Sequence, residues 1–312
     1  MRAALLIPVS AALIASSALA QTAPGSVGSA PPAQLAQAAQ ALPPLVGQMA
    51  QAEAILNANP QQAITVARQI LQQARAALQA NVNPAAAQQL LTTAARIFAS
   101  PAAQRVQAET VGELATLTVQ IAQTALPPAA VASIAGAAVT TAERLLATSP
   151  NTAVDLAGVA LQAVQSQPPQ QAAPQQSLNV AVVAARILVA PTASVVTPER
   201  RAGVMTQVVA LATSPVVYAA SPTNALQAMA NAYTASRAAD MLAASPGTSQ
   251  ALTQQLTQFS ADTNASQVNP SNSAQVGQIL GGAATIETTG ARREADLPPP
   301  RDEIRVFTAS PT

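Results

Sequence analysis

The chain has 312 residues, half of them apolar and about a quarter alanine, with aromatics at 2 % and no tryptophan, histidine, lysine or cysteine; its 14 basic residues, all arginine, stand against 13 acids. That inventory excludes imidazole bases, Schiff-base lysines, thiolate nucleophiles and zinc sites built from Cys and His, and it shows no electrostatic footprint for nucleic acid or anionic lipid. Stability has to come from helix propensity and close backbone approach, because bulky side chains are almost lacking.

At the start of the chain, residues 1–20 read as a secretory signal peptide, with Arg2 as the charged region, Ala3 to Ala15 as the apolar region and Ala18-Leu19-Ala20 as the cleavage motif. The exported chain is expected to begin at Gln21 and to reside in a periplasmic or extracellular compartment. Without Arg2 it has 13 arginines against 13 acids and is formally neutral. A membrane anchor is the competing reading, but Pro8 and Ser10 interrupt the apolar run. No later stretch supplies about 18 uninterrupted apolar residues; the best, Asn179 to Val196, contains Arg186 and Pro191. No membrane-spanning segment is therefore expected in the exported chain. Residues 21–31, rich in Gly, Ser and Pro, read as a flexible linker.

Residues 32–262 form the expected helical domain. Ala33 to Leu42 and Leu45 to Asn57 predict two short helices separated by Pro43-Pro44. Asn59-Pro60, Asn83-Pro84 and Ser100-Pro101 follow, and the pair recurs at Ser149-Pro150, Thr197-Pro198, Ser214-Pro215, Ser221-Pro222 and Ser245-Pro246. A polar residue at N-cap accepts a bond from an orphan backbone N–H, and proline at N1 has the right φ where its missing N–H costs nothing. The residue before proline is pushed out of the α region, so each pair also ends the preceding helix. After Pro60, Ile64, Ala67, Leu71, Ala74 and Leu78 lie on one stripe, with Gln61, Arg68, Gln72, Arg75 and Gln79 opposite. After Pro84 the apolar positions are Ala87, Leu90, Leu91, Ala94, Ile97 and Phe98, and the two segments predict an αα-hairpin. Gln165 to Gln176 reads as a loop, and Leu252, Leu256 and Phe259 mark a last amphipathic helix. Residues 263–312 read as a low-complexity, charged and disordered tail.

A repeat underlies this punctuation. Ala94-Ala95-Arg96-Ile97-Phe98 and Ala184-Ala185-Arg186-Ile187-Leu188 stand at the same offset before Pro101 and Pro191. Ala52-Glu53-Ala54-Ile55-Leu56 and Ala142-Glu143-Arg144-Leu145-Leu146 precede Pro60 and Pro150 with one extra residue. The expected fold is all-α: a degenerate αα-hairpin repeat array, α-solenoid-like. The layout resembles tetratricopeptide and HEAT-type arrays in style, although the Trp, Leu-Gly and Tyr positions of the tetratricopeptide pattern have no counterparts at consistent spacing.

Among groups able to do chemistry only carboxylates remain. Glu109 and Glu113, four apart on one helix, could converge for acid/base work or hard-cation binding, but Arg105 four residues earlier makes a solvated ion pair the simpler reading. There is no phosphate-cradling glycine loop and no Asp-rich calcium loop. No catalytic, cofactor-binding or metal-ligating residue is expected, and Tyr218 and Tyr233 read as packed, hydroxyl-bearing fillers.

The composition points to an exported, non-catalytic scaffold that binds a protein or peptide. An amphiphile or membrane-surface binder is the alternative, disfavoured by polar faces of Gln and Thr where Lys and Arg are needed. A carboxylate-only hydrolase of glycans is the remote one, short of aromatic surfaces for sugars. Near the end, Arg292, Arg293, Glu294, Asp296, Arg301, Asp302, Glu303 and Arg305 crowd together, followed by the apolar cluster Ile304, Val306 and Phe307. These three are the candidate docking residues, for a partner's groove or sheet edge.

Overall fold

Proline sets where the helices begin. The computed structural model describes residues 32–80 and 83–282. The expected signal peptide, the linker and the docking residues Ile304, Val306 and Phe307 lie outside the described residues. Within them are fifteen α-helices, two 3-10 turns and no strand, so the protein is all-α. The helices are α1 Pro32–Ile55, α2 Pro60–Gln79, α3 Pro84–Ala99, α4 Ala108–Ala125, α5 Pro128–Leu145, α6 Pro150–Val164, α7 Gln167–Ala172, α8 Pro174–Val189, α9 Pro198–Ala212, α10 Pro215–Ala220, α11 Pro222–Ser236, α12 Ala239–Ala244, α13 Pro246–Ser260, α14 Thr263–Val268 and α15 Asn272–Leu280. The 3-10 turns are Pro101–Arg105 and Pro191–Val195. Ten of the fifteen helices and both turns open on proline.

The polar partner of each proline matters less than its sequence suggests. Asn59 and Asn83 cap α2 and α3, their side-chain oxygens accepting from the N–H of Gln62 at 3.2 Å and of Ala86 at 3.1 Å. Ser100 accepts from the Ala102 N–H at 3.2 Å, but it opens a 3-10 turn. Ser149, Thr197, Ser214, Ser221 and Ser245 make no capping bond. Ser149 turns its hydroxyl outward instead, donating to Glu109 at 3.1 Å and sharing a 2.9 Å bond with Thr152.

The long helices pack on their successors. From α1 to α6 each helix touches the next and the next but one, and α8, α9, α11, α13 and α15 continue the pattern with short helices inserted between them. Two rows result: α1, α3, α5, α8, α11 and α15 in one, α2, α4, α6, α9 and α13 in the other. The stripes of α2 and α3 are buried as their periodicity predicts. Much of the core is alanine: Ala153, Ala157, Ala160 and Ala163 line the buried side of α6, where a longer side chain would hold the neighbours apart. α4 approaches α6 closely at Gly112, where an added β-carbon would stand 2.4 Å from Cγ2 of Thr152.

Three local expectations need correction. Pro43-Pro44 does not divide the first helix; α1 runs through both. Leu42 and Met49, on either side, are fully buried, and packing of that face against α2 and α3 compensates for the hydrogen bonds that proline removes. The loop expected from Gln165 to Gln176 contains α7 and the start of α8, because Pro168 and Pro169 fall in the first turn of α7 and Pro174 is the first residue of α8, where proline is tolerated. Helix does not stop at residue 262, since α14 and α15 follow as far as Leu280. The segment is polar, yet it buries Ala265, Val276 and Ile279, and its Asn272 satisfies buried partners instead of remaining in water.

Two kinds of substitution test this account. Asn59→Ala and Asn83→Ala are each expected to cost about 1 kcal/mol, the usual loss for a helix cap, measured by urea unfolding. Gly112→Ala should destabilise by about 1–2 kcal/mol because overpacking outweighs the gain in helix propensity. Gly136, inside α5 with nothing within 4 Å of its missing β-carbon, should accept alanine with a gain of about 0.5–1 kcal/mol.

Candidate interaction surface

The matched motifs of the sequence carry the contacts between helices. Glu53 of α1 receives a two-pronged bond from Arg96 of α3, with Nε to Oε1 at 3.1 Å and Nη2 to Oε2 at 3.1 Å. Arg144 of α5 donates to the Ala99 carbonyl at the end of α3 at 2.6 Å. Arg186 of α8 holds Glu143 of α5 at 3.0 Å. The other row has its own pairs: Arg68 of α2 with Glu113 of α4, and Asp155 of α6 with Arg200 of α9 at 2.9 Å. All of these side chains are at least a third exposed, so each pair contributes at most about 1 kcal/mol, and their effect is on register between helices more than on stability.

Glu109 and Glu113 open into a groove of about 370 Å³ between α4 and α6, which Asp155 and Leu117 also line. The ion pair expected between Arg105 and Glu109 is not formed. Arg105 closes a 3-10 turn, and the chain turns at Val106 and Gln107 before α4 begins, so the two residues do not share a helix face. Glu113 is paired with Arg68, and Glu109 accepts from Ser149. Among the described residues no group of three or more acidic, His or Cys side chains is arranged to hold a metal ion, and no helix is long and apolar enough to cross a membrane.

Toward the end of the described chain the packing changes character. Arg201 of α9 is 3 % exposed; its Nε donates to the Val196 carbonyl at 3.1 Å and its Nη2 to the carboxylate of Asp240 on α12. That bond holds the Asp240 carboxyl below the usual carboxylate range. Tyr218 of α10 is buried, as expected of a filler, but it also joins elements: its hydroxyl donates to Oδ1 of Asn272 at 2.8 Å and accepts from Nδ2 of Asn269 at 3.0 Å. Its ring meets Phe259 edge-on at 4.9 Å. Burial raises the phenol above its ordinary value, against the opposing bond from Asn269.

A second cavity, about 630 Å³, lies between α11 and the end of α15, lined by Ala230, Tyr233, Arg237, Ala238, Ile279 and Gly282. The Arg237 guanidinium carbon is 5.8 Å from the centre of the Tyr233 ring, a cation–π distance. Asp155, Arg201 and Arg237 carry no local sequence signal of these roles. The partners of the first two are about forty residues away in sequence, and Arg237 borders a cavity whose opposite wall belongs to the segment read as disordered. The spacing of the Glu53, Arg96, Glu143 and Arg186 motifs was the one signal that pointed to contacts across helices. No family model, no curated protein and no solved structure matches the chain.

Asp240, an exposed carboxylate bonded to the buried Arg201, and the buried Tyr218 both predict pH dependence. Asp240 has a lowered folded value, so its contribution is present above the unfolded carboxylate value of about 3.9 and is lost as pH falls through the folded one. Tyr218 has a raised value, so its contribution is present below about pH 10 and is lost as pH rises through the folded value. Thermal melts across pH should therefore show that Asp240→Asn weakens the acid limb and Tyr218→Phe the alkaline limb, each leaving the other unchanged.

Proposed function

We propose that the chain is an exported, non-catalytic helical scaffold, a degenerate αα-hairpin array of α-solenoid type, that binds a protein or peptide along its helical surface in the cell envelope. Two recurrent separations, 43 and 45 residues, support the reading. Arg96 to Glu53 and Arg186 to Glu143 are 43 residues apart, while Arg68 to Glu113, Arg144 to Ala99 and Arg200 to Asp155 are 45 apart. A chain that makes similar contacts at near-equal intervals stacks like units, and stacked units present a long continuous surface. The side chains between the ion pairs are largely Gln, Thr and Ala, which suits recognition of a polypeptide better than of lipid or polynucleotide.

The array is tested by removing one unit. Deleting residues 107–149, which carry α4 and α5, should leave a shorter protein with a cooperative thermal transition and a proportionally smaller helical signal, because each unit depends on its neighbours alone. A closed bundle would lose part of a shared core and unfold. The functional reading is tested with residues 21–312 as bait in an envelope extract, with liposome flotation in parallel. Recovery of a discrete polypeptide without flotation is expected; flotation without a recovered polypeptide would favour the membrane-surface alternative.

A further inference from the structure

We propose that the cavity between α11 and α15 is a docking site for the chain's own C-terminal segment, residues 302–306, held by Arg237 and the apolar wall of Ala230, Ala238 and Ile279. The inference holds whether or not the helices bind an outside partner. The described chain ends at this cavity: Gly282, its last residue, is part of the lining. It has a φ of 79°, a conformation that favours glycine, and the Arg237 Nη1 is 3.5 Å from where its β-carbon would stand, an ordinary contact. Arg237 has an aromatic face beside it, and no carboxylate among the described residues pairs with it. A cation at the rim of an apolar cavity fits a peptide that brings an acid and branched aliphatic side chains on one face.

The segment beyond Gly282 contains one sequence of that form. In an extended peptide alternate side chains share a face, which groups Asp302, Ile304 and Val306 together and places Arg301, Glu303 and Arg305 on the other side. The nearer candidate, Ile286 with Glu287, places its acid and its aliphatic group on opposite faces and offers a single branched aliphatic side chain. Reach is sufficient. Twenty residues separate positions 282 and 302, a tether that can extend to about 70 Å, so the segment is held near the cavity at an effective concentration on the order of millimolar. Recognition by Arg237 and two aliphatic side chains therefore needs only modest intrinsic affinity.

The absence of cysteine gives a direct test in the full chain. Thr234 lines the cavity and is exposed, and residue 308 continues the face of Asp302, Ile304 and Val306. In the Thr234→Cys/Thr308→Cys variant under a glutathione redox buffer, an intramolecular disulfide should form in the monomer. It should be lost when Arg237→Glu is added and return when Asp302→Arg is added to that. Circular dichroism of each variant checks that the exposed substitutions leave the helices intact. A disulfide linking two copies would move the occupant to a second chain and overturn the proposal as stated. So would preferential bonding in a Thr234→Cys/Thr288→Cys control, which would assign the cavity to the nearer segment. A disulfide indifferent to charge at residue 237 would remove the recognition argument altogether.

Discussion

The structure depends on the closeness that alanine permits. A methyl side chain contributes little when buried, about 0.8 kcal/mol per carbon, so an alanine-rich helix such as α6 is not held by a few large anchors. It is held by touching several neighbours at short range, as α6 does through Ala153, Ala157, Ala160 and Ala163 and through the near-contact of Gly112 with Thr152. Dispersion falls off steeply once surfaces separate. A core of this kind tolerates insertion between helices poorly, and it accounts for the regularity with which each helix is placed against the next two.

How far this could be read from the residues follows from how local each determinant is. Proline at N1 acts within one turn, so the starts of α2, α3, α6, α9 and α13 were legible, and the stripes of α2 and α3 gave their buried faces directly. Where the determinant lies in another part of the chain, local rules fell short. Pro43 and Pro44 are helix breakers in isolation and pass unnoticed when Leu42 and Met49 are buried on both sides. Ser149 has the composition of a cap and the geometry of a cross-helix contact, because Glu109 from α4 competes for its hydroxyl. The polarity of residues 263–282 suggested disorder, whereas Asn272 uses that polarity inside, between the Tyr218 hydroxyl and the Phe259 carbonyl. The candidate site was legible in part: Glu109 and Glu113 do share a groove, but Asp155 and Arg237 enter theirs through contacts that no local spacing encodes.

The end of the described chain solves a different problem from its middle. Among the described residues an inner helix has neighbours on both sides of its row, whereas α13 and α15 stand last in theirs. Short helices take over here: α10, α12 and α14 each have six residues and bury one or two side chains. They are fixed by directional bonds instead of by area, with Asp240 to Arg201 holding α12, and Tyr218 tying α10 to the segment around α15. The alanine core thus gives way to an aromatic and amide core, in which the loss of one partner leaves another polar group buried without one.

That concentration also makes the protein report on itself unevenly. With two tyrosines and no tryptophan in the sequence, the ultraviolet emission of the chain comes from Tyr218 and Tyr233, both buried in α10 and α11. Their fluorescence follows that end of the molecule alone, whereas the peptide chromophore follows every helix. If melting starts at α1 and travels inward, the far-ultraviolet signal will fall before the emission changes; if the aromatic end opens first, the order reverses. The interval between the two curves would then measure how tightly distant helices are coupled, with no label attached.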